Sequence, residues 1–251
     1  MKGLITAAGK GTRSGLDGKF RKEMLPMYDI REGKTVLRPI IDLIINRMVE
    51  NRIEKIGIVL NPDDSITKTY LAREFPQVEL MFQEEPLGYG HAVSIARDFI
   101  GKDSFILNAG DGVILNRKMY SEMITDASAG NFNVLAGFKT DHPKSYGNVE
   151  FSSMGKVIGV TEKPEHPKSD VALCATYVLE SEIFKCFEKL SVSNELTPAI
   201  NELIAINREF RFHLIPAEEW ISVGVAEKYS GTLQRSLDFC KYGLKKQVEI
   251  K

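Results

Sequence analysis

A chain of 251 residues with 43% apolar and 27% charged side chains is long enough to bury roughly three quarters of its unfolded surface as one large domain. Its formal net charge of −1 argues against a broad nucleic-acid surface and leaves anion binding to a local basic cluster. Cys174, Cys186 and Cys240 form no Cys-x-x-Cys pair, no stretch approaches the ~18 apolar residues of a membrane span, and the start lacks a signal-peptide pattern, so a soluble cytoplasmic protein with reduced thiols is expected.

The apolar run Leu4-Ile5-Thr6-Ala7-Ala8 reads as a buried first strand. Helical spacing of Ile40, Ile41, Leu43, Ile44, Ile45 and Met48 predicts a helix over Val36 to Val49, and Ile56 to Leu60 reads as a strand ending at the Asn61-Pro62 turn. Ser65 to Phe75 reads as helix, Val78 to Phe82 as strand, His91 to Ile100 as helix and Phe105 to Leu107 as strand. This alternation implies an α/β fold, a doubly wound, mostly parallel Rossmann-like sheet with helices on both faces. Beyond about residue 130, Val134 to Phe138, Val149 to Phe151, Val157 to Val160 and Val171 to Leu179 are strand-like with short turns, which suits an antiparallel edge or lid. Helices are expected again at Ser181 to Leu190 and Thr197 to Ile206, then a strand at Phe210 to Ile215. A last helix begins near Val225, with Tyr229, Leu233, Leu237, Cys240 and Leu244 on one face.

Three stretches carry chemistry. After the first strand come Gly9, Gly11, Arg13 and Lys22: glycines that let backbone N–H groups approach phosphate oxygens, beside cations. The spacing is neither a dinucleotide fingerprint, because the third glycine, Gly15, is one position late, nor a P-loop, because Arg13 stands where a glycine is needed and Phe20 follows Lys19. Composition alone would read as a basic surface loop. The second stretch runs from Gln83 to Val93, where a glycine pair before a helix is by itself an ordinary N-terminal turn. The third, Phe105 to Ile114, is a strand ending at Gly110-Asp111-Gly112, good turn chemistry that also sets a carboxylate at a strand's tip, where it can hold Mg²⁺ against phosphates.

The full first string, Ala-Ala-Gly-x-Gly-Thr-Arg followed by Lys22-Glu23-Met24-Leu25-Pro26, resembles the signature of sugar-phosphate nucleotidylyltransferases, most closely the bacterial UDP-glucose pyrophosphorylase branch. The resemblance covers about residues 3 to 225. It implies the nucleotide-diphospho-sugar transferase fold as one domain, with a nucleotide-binding half at 1–130, a sugar-phosphate-binding half carrying a small antiparallel lid at 131–225, and a C-terminal helix at 226–251. It implies nucleotide contacts at Ala8, Gly9, Gly11 and Thr12, base contacts at Gln83 and Gly88 suited to a pyrimidine edge, and Mg²⁺ at Asp111. Tyr146-Gly147-Asn148-Val149 and Val160-Thr161-Glu162-Lys163-Pro164 resemble the sugar site, with Gly147 admitting the sugar, Glu162 accepting from its hydroxyls and Lys163 binding its phosphate. The implied reaction is in-line attack of a sugar 1-phosphate oxygen on the α-phosphorus of UTP or dTTP, with Arg13 neutralising the departing pyrophosphate and Lys22 the α-phosphoryl group. The partners expected are those two substrates, with no nucleic acid and no membrane; a homo-oligomer is left open.

The chain departs from the family pattern in several places. Cys174 and Ala175 replace a Thr-Gly pair at two substrate-lining positions, and Ile30 to Thr35 is inserted before Arg38-Pro39. No C-terminal β-helix is expected, which excludes a bifunctional acyltransferase. In Trp220-Ile221-Ser222-Val223-Gly224, Ser222 stands where a second metal aspartate is expected. Three readings follow in order: a metal-dependent uridylyl- or thymidylyltransferase, a cytidylyltransferase acting on a phosphorylated alcohol, and a non-catalytic nucleotide or nucleotide-sugar binder.

Overall fold

The computed structural model describes residues 1–9, 11, 15–16, 20–130, 132–190 and 194–249, with side chains to Lys245. Strand β1 (Lys2–Ala7) is its axis: Leu4 and Ile5 are both fully buried, one in each of two apolar cores, as expected of a strand covered on both faces. β4 (Ile56–Leu60) and β6 (Phe105–Ala109) flank it in parallel, and β5 (Glu79–Phe82) lies parallel beyond β4. The chain runs outward from β1 through β4 to β5 and returns on the other side of β1 as β6. Strand order thus reverses beside β1, and the carboxyl ends of β1 and β6 form the switch point at which open α/β sheets bind ligands.

The same nine-stranded sheet continues into the second half of the chain. β11 (Val171–Leu179) runs antiparallel to β6 and β8 (Asn133–Lys139) antiparallel to β11, as expected, and β12 (Phe210–Ile215) lies parallel to β8. Along the edge away from β8, β11 changes partner: its C-terminal half pairs with β6, and Ala172 pairs with Asn148 of β9 (Gly147–Phe151), which forms an antiparallel hairpin with β10 (Val157–Glu162). Between the halves the register slips from Leu173 to Tyr177, and Ala175 adopts φ +49°. The expected lid is therefore a hairpin growing out of the main sheet at a kink.

Helices α1 (Ile40–Glu50), α2 (Ser65–Glu74) and α5 (Arg117–Gly130) bury Ile44, Leu71 and Met123 in one core. α3 (Tyr89–Ile95), α4 (Arg97–Ile100), α6 (Ile183–Lys189) and α7 (Thr197–Ala205) bury Val93, Ile100, Ile183 and Leu203 in the other. Four expectations need correcting. Residues 36–39 are not helical: β2 (Pro26–Arg31) and β3 (Lys34–Pro39) form a hairpin whose turn, Glu32-Gly33, has positive φ at both positions, and Pro39 stops the strand and caps α1. The helix expected over residues 91–100 breaks at Ala96 into α3 and α4. Helix α5 was missed because its buried face, Met119, Tyr120, Met123 and Ala127, is thin among polar residues. The last helix, α8 (Tyr229–Glu249), buries Thr232, Ser236 and Cys240 more deeply than Leu233 or Leu237, because the Ser236 hydroxyl accepts from the Tyr28 amide of β2 at 3.2 Å. Strands β7 (Gly112–Ile114) and β13 (Trp220–Ser222) pair antiparallel beside β6. Among the described residues no helix is long and apolar enough to cross a membrane.

Candidate active site

Two clefts open at the switch point and share a wall. The first, about 590 Å³, is lined by Thr6 to Gly9 at the end of β1, Lys22 and Glu23, Gln83 and Gly88 ahead of α3 with Tyr89 at its start, and Ala109 to Asp111 at the end of β6. The second, about 330 Å³, is lined by Tyr146 and Gly147, Glu162 and Lys163, Leu173 and Ala175, Glu195, Trp220 and Ser222. Tyr89, Ala109 and Asp111 line both.

Asp111 stands on that shared wall because the turn after β6 lies flat on β1. The Gly110 amide donates to the Thr6 carbonyl at 2.8 Å, and a Cβ on Gly110 would come within 2.8 Å of the Ala7 Cβ, so no larger residue fits. Lys22 crosses beside Gly9 and meets Asp111 Oδ2 at 2.5 Å. The two side chains are 21% and 25% exposed, so their charges answer each other at the mouth of the cleft. Ala8 is buried in the wall, and Gly11 adopts φ +65°. Thr12 and Arg13 lie outside the described residues.

The structure brings Gln83 and Gly88 together. The Gln83 carboxamide donates to the Gly88 carbonyl at 3.0 Å and lies 2.9 Å from His91 Nδ1, so His91 supports Gln83 from the protein side. Gly88 has φ +121°, and a Cβ there would come 2.1 Å from the Asn194 carbonyl oxygen; only glycine fits. In the second cleft Gly147 pairs with Glu162 across the β9–β10 hairpin, and a Cβ on Gly147 would press to 3.3 Å from Glu162 Oε2. Lys163, at φ +40°, pairs with Glu162 Oε1 at 2.8 Å. Of the two replaced positions in β11, only Ala175 lines the cleft; Cys174 points into the core, fully buried, where burial pushes its thiol up to about 12.

Four polar side chains in these walls were not singled out from the sequence. Glu23 is 1% exposed with both carboxylate oxygens buried and unpartnered, and burial, with Asp64 and Asp111 adding and Lys22 opposing, pushes its pKa up to about 8. The hydroxyls of Thr6 and Tyr89 are likewise buried, with no hydrogen-bond partner beyond each other. Glu195 has its carboxyl raised by partial burial and by Glu162, against Lys163. Buried carboxylate oxygens without a partner, as on Glu23, are rare in folded chains, and with the two poorly partnered hydroxyls along the same cleft they mark a surface made for a polar ligand. Only Glu23, beside the signature lysine, left a trace in the sequence; the others become visible once β1, α3 and the segment before α7 are adjacent.

Among the described residues no group of three or more His, Cys, Asp or Glu side chains could hold a metal ion alone. A hydrated divalent ion that arrives with phosphates needs only one or two carboxylates. Asp111 and Ser222 face one gap: a Cβ on Gly224 would lie 3.4 Å from Asp111 Oδ2 and 3.5 Å from Ser222 Oγ. That donor set fits such an ion with Asp111 as its one anionic protein ligand.

A family model described as nucleotidyl transferase matches residues 2–234. The chain is 34% identical over 215 residues to a bifunctional protein GlmU from Methanococcus maripaludis, covering 83% of this chain and 48% of that protein. It is 29% identical over 224 residues to a glucose-1-phosphate thymidylyltransferase from Streptomyces griseus, covering 86% and 60% respectively. The chain thus spans about half to three fifths of the curated relatives it matches. Among solved structures, a glucose-1-phosphate thymidylyltransferase from Bacillus anthracis, described as putative, superposes with TM-score 0.81 at 20% identity over 94% of this chain and 95% of that one. A UTP-bound UGPase from Acinetobacter baumannii superposes with TM-score 0.79 at 23% identity, covering 100% and 98%. The structural likenesses show a shared fold, and the match over nearly the whole sequence shows that this chain belongs to the nucleotidyl transferase family.

Proposed function

We propose that the chain joins a sugar 1-phosphate to a pyrimidine nucleoside triphosphate, giving a nucleotide sugar and pyrophosphate. The observation that carries this reading is the pair of adjoining clefts, one edged by Lys22 and one by Lys163, with Asp111 in the wall between them. The base lies against Gln83 and Gly88, and the phosphates run over Gly9 and Gly11 toward Lys22. The sugar lies against Gly147 and Glu162, with its phosphate on Lys163. An oxygen of the sugar phosphate then attacks the α-phosphorus, a new P–O bond forms, and the bond to the β-phosphate bridging oxygen breaks, releasing pyrophosphate. No covalent intermediate with the protein is needed, so catalysis is positioning and charge neutralisation. In this assignment Lys22 covers the α-phosphoryl group and Arg13, by its signature position, the pyrophosphate.

Mg²⁺, held by Asp111, would draw charge from the phosphate oxygens. Ser222 in the second position would leave such an ion more dependent on the nucleotide's own oxygens. The three cysteines are free and buried, in keeping with a reducing cytoplasm. The test is pyrophosphate release across UTP, dTTP, CTP, ATP and GTP with a panel of sugar 1-phosphates. Turnover with UTP or dTTP is expected; a preference for ATP or GTP would overturn the base assignment. CTP with an alcohol phosphate would replace the sugar reading.

A further inference from the structure

Asn108, fully buried in β6, spends all of its hydrogen-bonding capacity on the surroundings of Asp111. Its carboxamide nitrogen donates to the Ala109 and Gly112 carbonyls, each at 2.7 Å, on either side of the Gly110-Asp111 turn. Its oxygen accepts from the Tyr120 hydroxyl of α5 at 2.8 Å and from the Thr176 hydroxyl of β11 at 3.0 Å. Two donors and two acceptor positions are all a carboxamide has, so the group is saturated. Each partner has a distinct place. Ala109 lines both clefts, Gly112 opens β7 against β13, and Thr176 follows Ala175, the positive-φ residue of the β11 kink in the second cleft.

We infer that Asn108 is a positioning residue, clamping from both sides the turn that sets Asp111 in the wall shared by the two clefts. The inference rests on the proposed reaction, because only there does the position of Asp111 matter to a rate. Buried, fully satisfied polar networks hold one geometry firmly, whereas an apolar side chain at residue 108 would leave the turn's two carbonyls unclamped. A displacement of about 1 Å of a group that orients reactants can cost on the order of 10²-fold in rate. Tyr120 and Thr176 touch only the oxygen side, so losing either leaves the clamp on the turn in place.

Trp220, the single tryptophan, reports on the turn directly. A Cβ on Gly112 would come within 2.3 Å of its ring, so the ring lies against the clamped backbone. The experiment compares Asn108→Asp and Asn108→Leu with Tyr120→Phe and Thr176→Val. It reads melting temperature, calorimetric nucleotide affinity, turnover at saturating substrates and Trp220 emission of the folded protein. The Asn108 variants are expected to lose about 10- to 100-fold in turnover, to keep nucleotide affinity within about 3-fold and to shift Trp220 emission. Tyr120→Phe and Thr176→Val are expected to lose stability while keeping turnover and emission near wild type. Turnover that tracks melting temperature across all four variants, or Asn108 variants as active as wild type, would overturn the inference. If both Asn108 variants fail to fold, Asn108→Ser, which keeps a small donor, takes their place under the same criteria. A wild-type chain without turnover refutes the proposed function and this inference with it, whereas an active wild type with equally active Asn108 variants refutes the inference alone.

Discussion

Lys22 and Asp111 meet at a partly solvated cleft mouth, where an ion pair contributes little to stability, about 0–1 kcal/mol. Removing the ammonium should therefore matter far more to phosphate chemistry than to folding. Lys22→Ala is expected to lower turnover by about 10²-fold or more, the usual cost of one preorganised charge donor, while its melting temperature stays near wild type. Lys10→Ala, off the signature position, should lose much less; equal losses would refute the role given to Lys22. Glu23 calls for a different reading, because its carboxyl is held at about 8 against an ordinary 4.5. An acid whose folded pKa is raised contributes its stability fully below the unfolded value and loses it as pH rises toward the folded one. Wild type should therefore lose stability relative to Glu23→Gln, by about 1.4 kcal/mol per pH unit, as pH climbs from 4.5 to about 8. Melting curves of both proteins across that range check it, and a pH-independent difference would mean that Glu23 is ionised in the fold.

The β2–β3 hairpin and the helices beside it are tied by one carboxylate. Asp29 of β2 meets Arg47 of α1 at 3.1 Å, Arg117 of α5 at 2.7 Å and Arg31 of its own strand at 2.7 Å. Burial alone would raise its pKa, but Arg47, then Arg117 and Arg31, outweigh that and hold it below the ordinary range. The stabilisation is thus present at neutral pH and lost as pH falls through the depressed value. Arg47 is itself 1% exposed, so Asp29→Asn leaves a buried guanidinium without its counter-charge and should cost about 3–5 kcal/mol in thermal or urea unfolding. A loss below about 1 kcal/mol would show that the arginines re-pair. Little of this element was legible in the sequence. The run Ile40 to Met48 is helical as its periodicity says, but the apolar pattern continues back to Val36 through residues that form a strand; the β-branched pair Thr35-Val36 and the Pro39 ring are the signals for it. The tie through Ser236 was invisible, because a serine on the buried face of α8 is apolar in no scale and is satisfied there by accepting from the Tyr28 amide while donating to the Leu233 carbonyl.

One sheet runs through both the residues read as nucleotide-binding and those read as sugar-binding, so we expect residues 1–225 to unfold as a unit. Trp220 fluorescence and far-UV circular dichroism should give coincident urea transitions; separate midpoints would mean that the halves are independent domains. The buried core strands β1, β4 and β6 and the motif residues at their tips were readable because apolar runs end in turn residues there, glycines after β1 and β6 and Asn61-Pro62 after β4. The way Gln83 is held by His91, the buried hydroxyls of Thr6 and Tyr89, and the saturation of Asn108 were not, because side-chain partners are fixed by how turns and segments such as β1 and α3, or β6 and β11, come together at the switch point. The central claim is that the two clefts hold the two ends of one nucleotide sugar. A crystal structure of the chain with UDP-glucose or dTDP-glucose tests it most directly. The expected result is the base against Gln83 and Gly88, the diphosphate beside Lys22 and Asp111, and the hexose against Gly147 and Glu162. A nucleotide sugar bound with its base or its hexose outside these clefts would contradict the claim.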